Sequence, residues 1–291
     1  MPRGGFQGAM ACSRRMQVYI SVDMEGIAGV VHVDQTRREG HDYEQARKWM
    51  TAEANAAVAG SFQAGATAVL VNDSHGDMRN LLLDELDSRA EILTGSLKPL
   101  SMVQGIAPEF GVALFIGYHA GAGSRAGILD HTYFGKVVAR CRVGGRDFNE
   151  TAINAAVCGE LGVPVGLVTG DATTCAQARE LLGDVETVAV KSAISRYSAR
   201  GLTPALAREE IRRAASRTVS RAQKRDFKLF RPAPPLALEV EFANAGCADA
   251  AELVPGTMRK DGVTCLYSAP NASTLLRVLR AWVLLGGTTL V

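Results

Sequence analysis

The stretch Val18-Tyr19-Ile20-Ser21-Val22-Asp23-Met24-Glu25-Gly26 joins a short apolar segment to an acidic turn. Its apolar part has the length and the β-branched and aromatic composition of a buried strand. Further apolar segments follow at residues 68–71, 112–116 and 163–168, and segments of helical character separate them. Apolar strands that alternate with helices predict an α/β fold with a mostly parallel sheet and flanking helices.

Two polar segments indicate where helices begin. Asp42-Tyr43-Glu44-Gln45 resembles a capping box, which predicts a helix from there to about Gly65. Asn149 is of a residue type that caps helix N-termini, so we expect another helix to begin at Glu150.

The chain is expected to divide into three parts. Residues 1–15 contain three arginines but no apolar core of a signal peptide, so we interpret them as a disordered leader. Residues 16–190 carry the alternating pattern and form the main α/β domain. The pattern then changes, because Thr203-Pro204 is typical of a helix start and residues 231–235 form a stiff proline-rich connector. We therefore predict a smaller C-terminal α+β domain at residues 191–291, which contributes to oligomer contacts.

The composition excludes several classes of protein. The 291 residues have a formal net charge of +2 and 47% hydrophobic residues, which is unlike an acidic disordered chain and gives no charge-based reason to expect nucleic-acid binding. The six cysteines form no Cys-x-x-Cys pair, so we expect buried reduced thiols. No segment approaches the ~20 apolar residues of a membrane span. We expect a cytoplasmic protein without a membrane partner.

Polar side chains collect where the predicted strands end. Ligands bind outside the carboxyl ends of the strands in open α/β sheets, so side chains that follow different strands can share one site. The four predicted strands end in the segments Asp23-Met24-Glu25, Asn72-Asp73-Ser74-His75, Gly117-Tyr118-His119 and Thr169-Gly170-Asp171.

These groups have the chemistry of metal ligands. Asp23 and Glu25 point to the same side of an extended chain, and adjacent carboxylates repel unless a cation lies between them. Each group alone has an ordinary explanation: a solvated strand end for the two acids, a structural role for His75 or His119, and a favourable helix N-terminus for Glu150.

Taken together, the five residues predict a dinuclear hydrolase. Three carboxylates bring three negative charges, which two divalent cations and one hydroxide would neutralise. Mixed carboxylate and imidazole ligands suit zinc, with manganese or cobalt tolerated, and the lack of thiolate ligands excludes a structural zinc finger. The predicted metal ligands are Asp23, Glu25, His75, His119 and Glu150, all within residues 16–190.

The remaining histidines are separate cases. His131 follows a glycine-rich loop at residues 117–127 and is either an acid/base or oxyanion group or a surface histidine held by Asp130. We expect His32 and His41 to be solvated.

Several motifs resemble the D-aminopeptidase metallopeptidases of dipeptide-transport operons, the DppA type. The resemblance extends from Met16 to about residue 260. It is carried by Ser21-Val-Asp23-Met-Glu25-Gly26, Val71-Asn-Asp-Ser-His75, Met78-Arg-Asn-Leu81, Lys98-Pro-Leu-Ser-Met-Val103, Gly117-Tyr-His119-Ala120, Ala189-Val-Lys-Ser-Ala-Ile-Ser-Arg196, Glu241-Phe-Ala-Asn244 and Pro255-Gly-Thr257.

The resemblance implies a zinc aminopeptidase that removes amino-terminal D-residues from short peptides. Asp23 would bridge two zinc ions, with Glu25 and His119 on one and His75 and Glu150 on the other. His131 would be the catalytic histidine. The family also implies a homodecamer built from rings that enclose the active sites.

Other functions remain open at this stage. A metal-dependent amidohydrolase or L-aminopeptidase of the same fold would use the same residues. The loop Gly121–Gly127 has a spacing close to that of a nucleotide-binding loop, although no helix clearly follows it. Residues 208–231 contain nine Arg or Lys against three Asp or Glu, which would suit nucleic acid but is more typical of a solvated helix face or a subunit contact.

Overall fold

The computed structural model describes residues 16–290, so the predicted leader and Cys12 lie outside the described residues. Within that range the strands are β1 (Gln17–Val22), β2 (Ala68–Asp73), β3 (Glu91–Leu93), β4 (Phe110–Tyr118), β5 (Val138–Val143), β6 (Arg146–Asp147), β7 (Val165–Asp171), β8 (Glu186–Ser195), β9 (Ser198–Gly201), β10 (Leu236–Phe242), β11 (Met258–Arg259) and β12 (Thr264–Ala269). The α-helices are α1 (Tyr43–Gln63), α2 (Glu150–Glu160), α3 (Ala172–Leu182), α4 (Pro204–Gln223), α5 (Ala245–Glu252) and α6 (Ala272–Gly287).

Two sheets organise these elements. The first has seven strands in the order β3-β2-β1-β4-β7-β8-β9, and its neighbours pair in parallel except for β8 and β9. The second has five antiparallel strands in the order β11-β12-β10-β5-β6. The predicted α/β class with a mostly parallel sheet is therefore confirmed.

Strand β1 lies at the centre of the first sheet and is buried on both faces. Val18, Ile20 and Val22 pack into the core that contains α1 and α4. Tyr19 points to the opposite side, into the core shared with the second sheet and α6. Burial on both faces explains why β1 is almost continuously apolar and does not alternate with polar residues.

The predicted helix starts have different outcomes. Asn149 caps α2 as predicted, with its side chain accepting a hydrogen bond from the Ala152 amide at 2.9 Å. Helix α1 begins at Tyr43, but the predicted capping box is wrong, because Asp42 makes no side-chain hydrogen bond to the helix. Its backbone (φ −102°, ψ 8°) lacks the extended conformation that directs an N-cap side chain toward the helix amides.

The two sheets interleave along the chain. The predicted division at residues 190 and 191 falls inside β8, and α4 packs against α1 beside the first sheet. The second sheet takes β5 and β6 from before that point and β10 to β12 from after it. The division into two domains and the oligomer contacts of residues 191–291 stay predictions. No helix in residues 16–290 combines the length and apolar character required to cross a membrane.

Candidate metal centre

The register of three central strands brings the predicted ligands to one edge of the first sheet. Val22, the last residue of β1, pairs with Asp73 on β2 and with Ile116 on β4. Asp23 and Glu25 therefore leave the sheet beside His75 and His119.

Gly26 lets the turn after β1 lie directly against the end of β4. Its amide donates a hydrogen bond to the Gly117 carbonyl at 2.7 Å. A Cβ atom at this position would lie 2.0 Å from the Tyr118 carbonyl oxygen. That distance is too short for two non-bonded atoms, so no residue with a side chain fits here. The close approach places Glu25 next to the strand ends and requires glycine.

All five predicted metal ligands are buried and lie together, with Asp23 in the middle. Nδ1 of His75 lies 3.2 Å from Oδ1 of Asp23 and 3.0 Å from Oε2 of Glu25. Nε2 of His119 lies 3.5 Å from Oδ2 of Asp23 and 3.2 Å from Oε1 of Glu150. The two oxygens of Asp23 therefore face two different imidazoles.

These distances group the residues differently from the family resemblance. Potential ligand atoms cluster as Asp23, Glu25 and His75 on one side and as His119, His131 and Glu150 on the other. The resemblance implies Glu25 with His119 and His75 with Glu150. In the structure Glu25 instead lies beside His75, and Glu150 lies beside His119.

The second nitrogen of each imidazole is held by a backbone carbonyl. Nε2 of His75 donates to Thr36 at 2.7 Å, and Nδ1 of His119 donates to Ala120 at 3.0 Å. Such bonds fix the ring and direct its other nitrogen to the carboxylates, as carbonyls do behind metal-binding histidines.

Glu150 is held by the loop that carries His131. Its Oε1 accepts a hydrogen bond from the Tyr133 amide at 2.6 Å, and the residue begins α2 directly after the Asn149 cap. The start of a helix favours a carboxylate there.

The electrostatics of the cluster call for positive charge. Burial, and then the charge of Glu25, raise the pKa of Asp23 to about 7. Burial alone would lower the pKa of His119, but the Glu150 carboxylate raises it to about 10. In the same way, burial acts against a charged His75 and Glu25 raises its pKa well above the usual value. Protons on the imidazoles therefore balance the carboxylates when no metal is bound.

Two carboxylate oxygens also lack hydrogen-bond partners of good geometry among the described residues. They are Oδ2 of Asp23 and Oε2 of Glu25, and both are buried. Leaving such acceptors unsatisfied in a protein interior is costly, whereas a divalent cation would satisfy them. The donor set of three carboxylates and two imidazoles therefore fits metal binding.

His131 lies beside this cluster and faces a cavity. Its ring stacks on His119 with the centroids 3.9 Å apart, and its Nδ1 donates to the Leu129 carbonyl at 2.8 Å. Nε2 lies 4.0 Å from Oε1 of Glu150. Asp130 does not hold the ring, because its carboxylate binds the Gly123 amide and the Arg196 guanidinium.

Comparison with known proteins assigns the chain to a family. The sequence model of the D-aminopeptidase family, peptidase M55, matches residues 16–281. The chain belongs to the D-aminopeptidase family. It is 42% identical over 254 residues to the D-aminopeptidase of Bacillus subtilis (strain 168). The aligned region covers 86% of this chain and 89% of that protein.

The fold agrees with the same assignment. The chain is similar to the solved structure of the Zn-dependent D-aminopeptidase DppA from Bacillus subtilis, described as a self-compartmentalizing protease, with a TM-score of 0.88 and 37% identity. The match covers 94% of this chain and 99% of that chain. The family predicted from the sequence motifs is confirmed, and the protein is a peptidase.

Other strand-end residues in this D-aminopeptidase family member build the scaffold. Asp73 accepts hydrogen bonds from the amides of Asn80 and Leu81. Asp171 caps α3 and also accepts a hydrogen bond from the Ile128 amide at 2.6 Å. These acids use their oxygens to hold loops and lie outside the two groups of potential metal ligands.

The two segments that suggested nucleotide or nucleic-acid binding have structural explanations. Between Gly127 and the start of α2 at Glu150 there is no helix, so the glycine-rich loop lacks the helix N-terminus that a nucleotide-binding loop uses. The basic segment includes α4, where Arg212, Arg213 and Arg221 form ion pairs with nearby acids. Those ion pairs favour the interpretation of this segment as a charged helix face over nucleic-acid binding. The side chains of His32 and His41 are exposed.

Lys191 holds the turn that carries Glu25, a role that was not predicted from the sequence. Its Nζ donates to the carbonyls of Glu25, Ile27 and Val30 at 2.6, 2.8 and 2.5 Å. Burial lowers the pKa of Lys191 to about 8. A single lysine within the apolar stretch of β8 was the signal that could have indicated such a buried role.

Glu53 on α1 supports the same turn from the other side. Its Oε1 accepts a hydrogen bond from the Ala28 amide at 2.8 Å, and burial raises its pKa to about 7. The turn after β1 is therefore held by a buried lysine on its carbonyls and a buried carboxyl group on an amide.

Replacing Lys191 with Met should destabilise the protein and reduce its metal content. Three buried carbonyls would lose their donor, which we expect to lower the free energy of unfolding by roughly 3 kcal/mol. Urea unfolding and metal content per chain measure the two effects. Lys48→Met, at an exposed position of α1, is the matched control. A Lys191→Met variant with wild-type stability and metal content would contradict this role.

Proposed function

We propose that the protein is a dinuclear zinc aminopeptidase that releases amino-terminal D-residues from short peptides. The observation that carries this proposal is the buried array of three carboxylates and two oriented imidazoles at the floor of a cavity of about 430 Å³. A cavity of this size suits a small ligand. The named activity of the relatives, and the zinc dependence of one of them, support the choice of reaction and metal.

Five side chains would hold the two metal ions. In our proposal Asp23 would be shared between the two ions, Glu25 and His75 would hold one of them, and His119 and Glu150 would hold the other. The proximity of these groups and the buried oxygens without partners support this division. Manganese or cobalt would also be compatible with these ligands.

When bound, a zinc pair polarises the scissile carbonyl and lowers the pKa of water. His131 then serves as the proton-transfer group. Burial lowers the pKa of His131, which favours its neutral form. Because Nδ1 donates to Leu129, the unprotonated Nε2 can accept a proton from water and pass it to the leaving amine.

We also propose that copies of this chain assemble into rings and form a homodecamer in the cytoplasm. The description of the structural relative as self-compartmentalizing supports assembly of this kind. Enclosed active sites would admit short peptides and exclude folded proteins. The proposal includes no nucleic-acid or membrane partner.

A side-by-side assay tests the proposed reaction. The purified enzyme should contain two zinc ions per chain and hydrolyse D-Ala-D-Ala much faster than L-Ala-L-Ala. A chelator should abolish hydrolysis, and added zinc should restore it. N-acetylated D-Ala-D-Ala is the control, because an aminopeptidase needs a free amino terminus. A preference for L-peptides, or hydrolysis of the blocked peptide, would favour an L-aminopeptidase or amidohydrolase. Metal-free protein whose activity resists chelation would overturn the zinc proposal.

Replacing His131 with Ala should separate proton transfer from metal binding. We expect kcat to fall by about 10²- to 10⁴-fold, the usual contribution of a general acid–base group. Both zinc ions should remain, as measured by metal analysis. His41→Ala, at an exposed position, is the control. Loss of one zinc per chain in His131→Ala would instead make His131 a ligand.

A further inference from the structure

The cavity beside the proposed metal ligands contains a second group of buried polar atoms that make no well-formed hydrogen bonds. Ser101, Tyr133 and Arg280 line it together with the predicted ligands. Oγ of Ser101, Oη of Tyr133 and Nε of Arg280 are all buried, and none makes a hydrogen bond of good geometry among the described residues. All three atoms can donate hydrogen bonds.

The three side chains are neighbours. The Arg280 guanidinium lies over the Tyr133 ring, with Cζ 5.4 Å from the ring centroid. The Tyr133 hydroxyl lies beside Ser101. Residues from three distant parts of the sequence therefore bring one positive charge and two hydroxyls to one side of the cavity.

Arg280 differs from the other basic residues around this cavity. Arg196 is bound to Asp130, and Arg37 and Lys136 are exposed to solvent. Arg280 is partly buried on α6 and forms no ion pair within residues 16–290. A partly buried guanidinium without an anion is unusual unless a ligand supplies the charge.

The backbone at two of these residues is also strained. Ser101 and Tyr133 have φ angles of 47° and 60°, in the left-handed region that non-glycine residues rarely occupy. Such strain is typical of ligand-binding positions. At Tyr133 this conformation accompanies the hydrogen bond from its amide to Glu150. Tyr133 therefore connects the proposed metal ligands to the group of hydrogen-bond donors formed with Ser101 and Arg280.

We propose that Ser101, Tyr133 and Arg280 form a subsite for the free α-carboxylate of the peptide substrate. This inference rests on the proposed aminopeptidase function and narrows its substrates to dipeptides and similarly short peptides with an unblocked carboxyl terminus. An arginine side chain and hydroxyl donors match the geometry and charge of a carboxylate.

Tyr133 links the proposed subsite to the proposed metal ligands, as a substrate as short as a dipeptide requires. Consecutive Cα atoms are only ~3.8 Å apart, so the carboxylate of a dipeptide lies one residue from the bond to be cleaved. Tyr133 contacts both groups of residues, since its amide bonds to Glu150 and its ring lies under the Arg280 guanidinium. The substrate would therefore lie with its scissile bond beside the proposed metal ligands and its carboxylate beside Arg280.

Kinetics on an acid and amide pair test the subsite. The zinc-loaded wild-type enzyme should hydrolyse D-Ala-D-Ala with a higher kcat/KM than D-Ala-D-Ala amide, which lacks the carboxylate. Arg280→Gln should lower kcat/KM for the free acid on the order of 10- to 100-fold and change that for the amide less than about threefold. Arg280→Lys should fall between the two, because it keeps the charge but loses the planar donor fork.

Matched variants separate recognition from folding. Arg277→Gln, at an exposed position one turn earlier on α6, should leave both rates unchanged. Tyr133→Phe should reduce the preference for the free acid by a smaller factor, because it removes a neutral donor and keeps the backbone bond to Glu150. Equal losses on both substrates in Arg280→Gln, or a wild-type enzyme indifferent to the carboxylate, would overturn the subsite.

A binding measurement keeps this test independent of turnover. Calorimetry should detect N-acetyl-D-alanine binding to the wild-type protein, weaker binding of its amide, and a loss of that difference in Arg280→Gln. If neither peptide is hydrolysed but this pattern holds, the proposed reaction fails and the carboxylate subsite stands. If peptides are hydrolysed and the pattern is absent, the subsite fails and the aminopeptidase proposal stands.

Discussion

The structure depends on the burial of three carboxylates beside one another at the carboxyl end of the central sheet. Asp23, Glu25 and Glu150 repel one another in an interior that screens charge poorly, so the fold must supply positive charge. His75 and His119 supply it as protonated imidazoles in the unloaded protein, which is why their pKa values are raised. Divalent cations would replace those protons and satisfy the carboxylate oxygens that make no well-formed hydrogen bond.

Much of the surrounding structure keeps these groups in place. Gly26 permits contact with β4, Lys191 binds three carbonyls of the turn, and the Tyr133 amide holds Glu150. Each of these interactions comes from a different part of the chain. The mostly parallel sheet makes this arrangement possible, because it aligns the ends of β1, β2 and β4 in a single row. The buried lysine and the positive φ at Tyr133 are locally unfavourable features of the kind found at functional sites.

The sequence predicted the features that depend on local pattern. Apolar segments located the central strands, and Asn149 marked the start of α2. The positions of polar residues directly after strands predicted that the proposed ligands lie close together. Features that depend on distant pairing were not predicted. Strands β5 and β6 join β10 in the second sheet, and Ser101, Tyr133 and Arg280 meet in one cavity, although nothing in their neighbouring residues specifies those partners. The capping box at Asp42 failed because residue types alone do not fix the backbone conformation that a cap requires.

The most direct test of this account is anomalous X-ray diffraction at the zinc absorption edge from crystals of the purified, zinc-loaded protein. The account predicts two peaks per chain on opposite sides of the Asp23 carboxylate. One peak should be bound by Glu25 and His75, and the other by His119 and Glu150. A single peak, or peaks bound by residues other than these, would contradict the central claim that the buried carboxylates exist to hold a pair of metal ions.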